Sequence, residues 1–138
     1  MAHLSIKKYR QVNVNNVQDM TPYEQINLIF VNVIGKLAAA KGFITRNEIE
    51  KKGENISTCI LLIGALEDAL NMQAGAEISD NLSALYAYCQ RRLVEGNLKN
   101  DIDALTEVSD IIKTIKEGWD AIPADMRQKD QVLQAQTV

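Results

Sequence analysis

Residues able to carry chemistry are scarce in this 138-residue chain, and they do not cluster. The single histidine, His3, lies near the N-terminus. That excludes a histidine-based triad, a histidine-rich metal site and a phosphotransfer histidine on a helix. It also excludes the Glu-x-x-His pairs of di-iron bundles. Glycines stand singly at 35, 42, 53, 64, 75, 96 and 118, so no glycine-rich loop can cradle a phosphate. The carboxylate pairs Glu67/Asp68 and Asp101/Asp103 read as exposed charge and helix capping. Cys59 and Cys89 fall within apolar helical stripes and read as small buried hydrophobes. No catalytic residue, metal or cofactor is expected, and the chain does not read as an enzyme.

The elements around these residues are helical. Hydrophobic residues make up 46% of the chain and only two prolines occur, while Ala, Leu, Ile and Glu are frequent. This favours one all-α domain. A net charge of -3 argues against general nucleic-acid binding, which needs a basic surface. Lys7, Lys8 and Arg10 cluster only near the N-terminus, and Lys51 and Lys52 stand among glutamates, where they read as a solvated face. The uncharged runs Gln25–Gly35 and Asn55–Leu66 are short of the roughly 20 apolar residues that span a bilayer. With no apolar signal core at the N-terminus, a cytoplasmic location is expected, and in that compartment a disulfide is not.

Residues 1–20 alternate weakly through Ile6, Tyr9, Val12, Val14 and Val17 and read as an extended segment. Thr21-Pro22-Tyr23-Glu24 then combines an N-cap, a first-turn proline and a capping-box glutamate. Four amphipathic helices are predicted, at about 22–44, 48–71, 77–98 and 101–121, within a bundle spanning 21–122. Their faces are Ile26, Phe30, Val33 and Leu37; then Ile49, Ile56, Cys59, Ile60, Ile63, Leu66 and Leu70. The third is Ile78, Leu82, Leu85, Cys89 and Leu93, spaced by four, three, four and four, with Tyr86 and Tyr88 flanking it. The fourth is Leu105, Val108, Ile112, Ile115 and Trp119. Thr45 with Glu48 offers a second capping box, and Asn100 can cap the fourth helix. Short connections make this an antiparallel four-helix bundle. The polar residues 123–138 read as a disordered tail.

One feature exceeds what a bundle needs. Eight of the eleven residues Ile56–Leu66 are apolar, against roughly three in seven for a core face. Either the second helix sits centrally, or some of these residues line an apolar groove for a partner helix. Ile111 beside Ile112 hints at the same surplus on the fourth helix.

These residues resemble the flagellar secretion chaperone family, FliS, over about Ile6 to Ile122. The resemblance runs through Ile6-Lys-Lys-Tyr9-Arg-Gln-Val12, Thr21-Pro22 and Lys52-Gly53-Glu54. It is densest at Glu77-Ile78, Asn81-Leu82, Leu85-Tyr86, Tyr88, Arg91-Arg92-Leu93, Asn97 and Asp101, and closes with Glu107-Val108 and Trp119. Val31-Asn32, Gly75-Ala76 and Gly96 depart from the family's usual Asp-Gly, glycine pair and alanine.

The resemblance implies a cytoplasmic chaperone for the disordered C-terminal segment of flagellin, bound one to one. Such a chaperone keeps subunits from polymerising and hands them to the type III export apparatus. It further implies contacts with the export gate and with regulatory proteins of flagellar assembly, and none with nucleic acid or membrane. A regulatory or scaffold bundle for another flagellar or signalling protein is the alternative. The client groove is expected at Leu62 and Leu66 of the second helix with Leu82, Tyr86 and Leu93 of the third. Arg92, beside Arg91, is expected either to meet client carboxylates or to be solvated at the surface, and Asn97 and Asp101 read as loop and cap residues. Ile6 and Tyr9 either cover that groove when no client is present or pack permanently at its edge.

Overall fold

The structure is a computed structural model that describes residues 19–73 and 76–127. The helices are α1 (Pro22–Thr45), α2 (Ile49–Asp68), the short α3 (Leu70–Gln73), α4 (Ala76–Lys99) and α5 (Ile102–Asp120), with no strand among the described residues. The expected second helix is interrupted at Ala69, whose N–H still bonds to the carbonyls of Ala65 and Leu66 before the chain resumes as α3. Residues 27–122 form one compact unit. The described residues 19–26 and 123–127 belong to another. In the latter, Thr21 Oγ1 accepts the Glu24 N–H at 3.0 Å, and the Arg127 guanidinium lies 4.0 Å from the centre of the Tyr23 ring.

Within residues 27–122 the long helices form an antiparallel bundle. Phe30, Val33 and Leu37 of α1 are fully buried, as are Ile56, Cys59, Ile63 and Leu66 of α2 and Leu105, Val108 and Ile112 of α5. The Phe30 and Trp119 rings lie 6.4 Å apart, joining α1 to α5. Cys59 donates its thiol hydrogen to the Val33 carbonyl, joining α2 to α1. Each such apolar side chain contributes about 1.5–3 kcal/mol on burial, whereas an exposed ion pair contributes about 0.2–1 kcal/mol. The core, rather than surface charge, therefore holds the helices together. By length and composition α1 could cross a membrane, contrary to the reading from uncharged runs. Its face of Phe30, Val33 and Leu37 is nevertheless occupied in the bundle core.

The two expected caps at Thr45 and Asn100 are replaced by a different device. Thr45 stays in α1 and donates its hydroxyl to the Lys41 carbonyl. Asn47 takes φ 59°, and the N–H groups of Asn47 and Glu48 turn back to the carbonyls of Ile44 and Phe43. This is a Schellman termination with asparagine in the left-handed position that glycine usually fills. Glu48 pairs with Arg46 and Lys51, which hold its carboxyl below the usual value. Asn100 repeats the pattern at φ 52°, with the Asp101 N–H on the Gly96 carbonyl. Asp101, not Asn100, caps α5, accepting the Asp103 N–H at 3.0 Å.

The side chain of Asn100 serves Lys52, which is only 5% exposed rather than part of a solvated face. Lys52 Nζ donates to Asn100 Oδ1 at 2.7 Å and to the Asn97 carbonyl at 2.9 Å. The ammonium thus sits at the negative end of the α4 dipole, on a carbonyl the helix cannot satisfy itself. Lys52→Met removes the donor and leaves both acceptors unpaired. It should cost about 2–3 kcal/mol, read as a lower urea midpoint with an unchanged m-value. A midpoint within error of the parent would show that water replaces the ammonium freely.

Candidate functional site

The apolar stripe of α4 is continuous in sequence but has two fates. Its C-terminal half is covered, since Tyr86, Cys89 and Leu93 have no exposed surface. Toward the N-terminal end Ile78 is 59% exposed, Leu85 is 39% exposed and Leu82 is half-buried. Opposite this open half lies the last part of α5. Ile78 and Leu82 together with Thr114, Ile115, Gly118, Trp119 and Ile122 line a recess of about 400 Å³. A shallower recess of about 290 Å³ adjoins it, formed by Leu85, Asp110, Ile111, Thr114 and Ile115. The two share Thr114 and Ile115, so they form one apolar furrow between α4 and α5.

This furrow differs from the expected groove on the second and third predicted helices. Leu82 lines it, but Leu66, Tyr86 and Leu93 belong to the core. Helices α2 and α4 face each other there, and all three side chains are enclosed between them. Tyr86 does not keep its hydroxyl in water, and burial, followed by the neighbouring Cys89, pushes its phenol well above the usual value. Leu62 is half-buried on α2 and does not line the furrow, while its neighbour Leu61 is 75% exposed. The apolar surplus of α2 is therefore divided between core, partial burial and one exposed leucine. Ile6 and Tyr9 lie outside the described residues.

Arg92 is partly buried and already engaged. Its guanidinium lies 3.5 Å from Glu95, 3.8 Å from Asp101 and 3.5 Å from Glu107. Glu107 also accepts the Tyr88 hydroxyl, and this hydrogen bond raises the Tyr88 pKa. Three carboxylates against Arg92 and Lys99, which pairs with Glu95, leave the cluster short of positive charge. A client carboxylate would add to that excess. Arg92 therefore clasps α4 to α5. Sequence reasoning placed Ile78, Leu85 and Ile115 in core stripes; Ile111, an apolar residue beyond the stripe, was the one signal pointing to an open surface.

Both cysteines are free and buried. Burial pushes the Cys59 thiol from about 9 to about 12 and the Cys89 thiol to about 11. Because the folded values lie above the unfolded ones, the stability they contribute is fully present below pH 9. It declines as pH rises from there toward 11, where only the unfolded chain ionises. Urea midpoints should therefore fall across this interval, and the fall should be smaller in a Cys59→Ala/Cys89→Ala variant. An identical slope in that variant would assign the alkaline loss to other groups.

Comparison with known proteins accounts for a bundle that carries an apolar furrow and no reactive centre. Residues 5–126 match the family model described as flagellar protein FliS. The chain is 40% identical over 119 residues to flagellar secretion chaperone FliSB of Pseudomonas aeruginosa, covering 86% of this chain and 94% of that one. It is 37% identical over 119 residues to flagellar secretion chaperone FliS of Salmonella typhimurium, covering 85% and 88%. It is 30% identical over 111 residues to that of Bacillus subtilis, covering 80% and 82%. The chain belongs to the FliS family of flagellar secretion chaperones, which are not enzymes.

Proposed function

We propose that this chain is a cytoplasmic export chaperone that binds the disordered C-terminal segment of flagellin one to one. It keeps the subunit from polymerising and delivers it to the flagellar type III export apparatus. The observation that supports this reading is the α4–α5 furrow, lined almost wholly by apolar side chains and left open along half of an otherwise buried stripe. From Ile78 to Leu85 the furrow follows about 10 Å of helix, at 1.5 Å per residue. That is two turns, enough to seat the i and i+3 or i+4 anchors of an amphipathic segment. A segment that forms such a helix only on binding loses about 2–5 kcal/mol in ordering. Anchors beyond this furrow must therefore contribute, and the interface should exceed about 1,600 Å² in total. The chain's own fold supplies the apolar surface, and release follows when the export apparatus competes for the segment.

Calorimetric titration with about the last 50 residues of the same organism's flagellin tests this, with coupled folding expected to give a large negative heat-capacity change. Leu82→Ala and Ile115→Ala should each weaken binding about tenfold, equivalent to ~1.4 kcal/mol. The exposed Leu61→Ala variant, away from the furrow, should bind as the parent does. Absence of binding at tens of micromolar would favour the regulatory or scaffold reading. Full binding by the two furrow variants would move the site elsewhere on the bundle.

A further inference from the structure

The two lips of the furrow differ in charge. On α4 the outer edge beside Leu85 is formed by Asn81, Ala84 and Tyr88, all exposed and uncharged. From Ile78 to Tyr88 the one charged residue is Asp80, which at about 100° per residue stands about 160° round the helix from Leu82. The edge of α5 is acidic. Asp110 is the one charged residue among those that line either recess. Glu117, seven residues on, lies within about 20° of it on the same side of the helix. Both are exposed, and neither carboxylate takes part in a hydrogen bond or ion pair among the described residues. Thr114, between them, gives its hydroxyl to the Asp110 backbone carbonyl. Lys116 is paired with Asp120. Lys113 is two residues from Ile115, about 160° round the helix and away from the furrow. Only at the closed end of the α4–α5 pair is the acidic edge answered, where Arg92 and Tyr88 hold Glu107.

A helix seated in the furrow sets one flank against the α5 edge and covers Asp110 along with the recess. Desolvating an unpaired carboxylate opposes binding. A cation on that flank turns the same group into a charge-assisted contact. We propose that Asp110 is a specificity-determining residue: it reads a lysine or arginine flanking the client's apolar anchors, and so fixes which side of the client helix faces α5. The inference rests on the furrow being the client site. An acidic residue at the same place on the client meets Asp110 and Glu117 together and is rejected.

Two probes test this on the full chain. One is a pair of synthetic amphipathic helical peptides with identical leucine anchors, carrying lysine or glutamate at the flanking positions. The other is the flagellin C-terminal segment. Both peptides should shift the Leu85 and Ile111 methyl resonances, and the parent should prefer the lysine peptide about fivefold, as for a surface ion pair. That preference should disappear in Asp110→Asn and persist in Asp80→Asn, which removes the same charge on the far side of α4. Asp110→Asn should also bind the flagellin segment about fivefold more weakly. Replacing one basic residue of the segment by glutamine should cost the parent as much and the variant nothing. Equal affinity for the two peptides, a preference that survives Asp110→Asn, peptide binding without shifts at Leu85 and Ile111, or no binding of either peptide would overturn the inference. So would undiminished flagellin binding by Asp110→Asn. If the parent binds the peptides as expected but not the flagellin segment, the flagellin reading fails, while the peptides still decide the role of Asp110.

Discussion

The end of the bundle where α4 meets α5 is organised around a buried lysine. Lys52 carries its ammonium into the junction where α2 begins, α4 ends and α5 starts, and it donates there to two neutral oxygens. An uncompensated buried charge would be prohibitive, so the junction has to be built around it. The end of α4 supplies the Asn97 carbonyl, and the turn supplies Asn100 Oδ1. Asn100 can present that oxygen because it stands in the left-handed conformation that terminates α4. The same termination places the Asp101 N–H on the Gly96 carbonyl and leaves Asp101 free to cap α5. One charge thus couples helix end, turn and helix start, and fixes this end of the α4–α5 pair.

Fixing one end permits the other to stay open. An amphipathic stripe is normally buried along its whole length, yet α4 covers only the Tyr86–Leu93 half. The uncovered half would be an aggregation liability if it stood out from the surface. It is instead recessed between two helices, with the exposed charges of Asp80, Asp110, Lys113 and Glu117 on the same stretches of chain. A narrow furrow of this kind favours a helix that can slide side chains into it over a flat apolar partner. Hydrophobic anchoring without a reactive or nucleotide-binding group suits a chaperone that must hold a segment and later yield it intact.

The four long helices were legible because their periodicity is set by the core, and three of the four apolar faces consist largely of buried residues. The capping of α1 by Thr21 was also legible, since it follows from local residue type alone. The furrow was not. Ile78, Leu82, Leu85, Cys89 and Leu93 share one helical face, and spacing cannot say where along that face a neighbouring helix stops covering it. Lys52 was misread for a related reason. A lysine beside Lys51, among glutamates, looks solvated, and its partners lie 45 and 48 residues away. Arg92 looked available for a ligand because Glu107 stands on the following helix. Both of these misreadings concern contacts between helices, which spacing along one helix does not reveal.

The contrast between Arg92 and Leu82 separates holding the bundle from using it. Both lie on α4, and both were expected to touch a client. Arg92 faces Asp101 and Glu107 near the closed end, where an additional carboxylate from outside would enlarge an existing negative excess. Leu82 faces Ile115 and Trp119 across an unfilled gap, where an additional apolar group would replace water. Desolvating one more charge beside Arg92 is costly, while filling the gap beside Leu82 gains roughly 25 cal/mol for each Å² removed from water. On this surface an apolar group is therefore accommodated at lower cost than a further negative charge. Arg92, Asn97 and Asp101, which belong to the family resemblance, join α4 to α2 and α5 near the closed end.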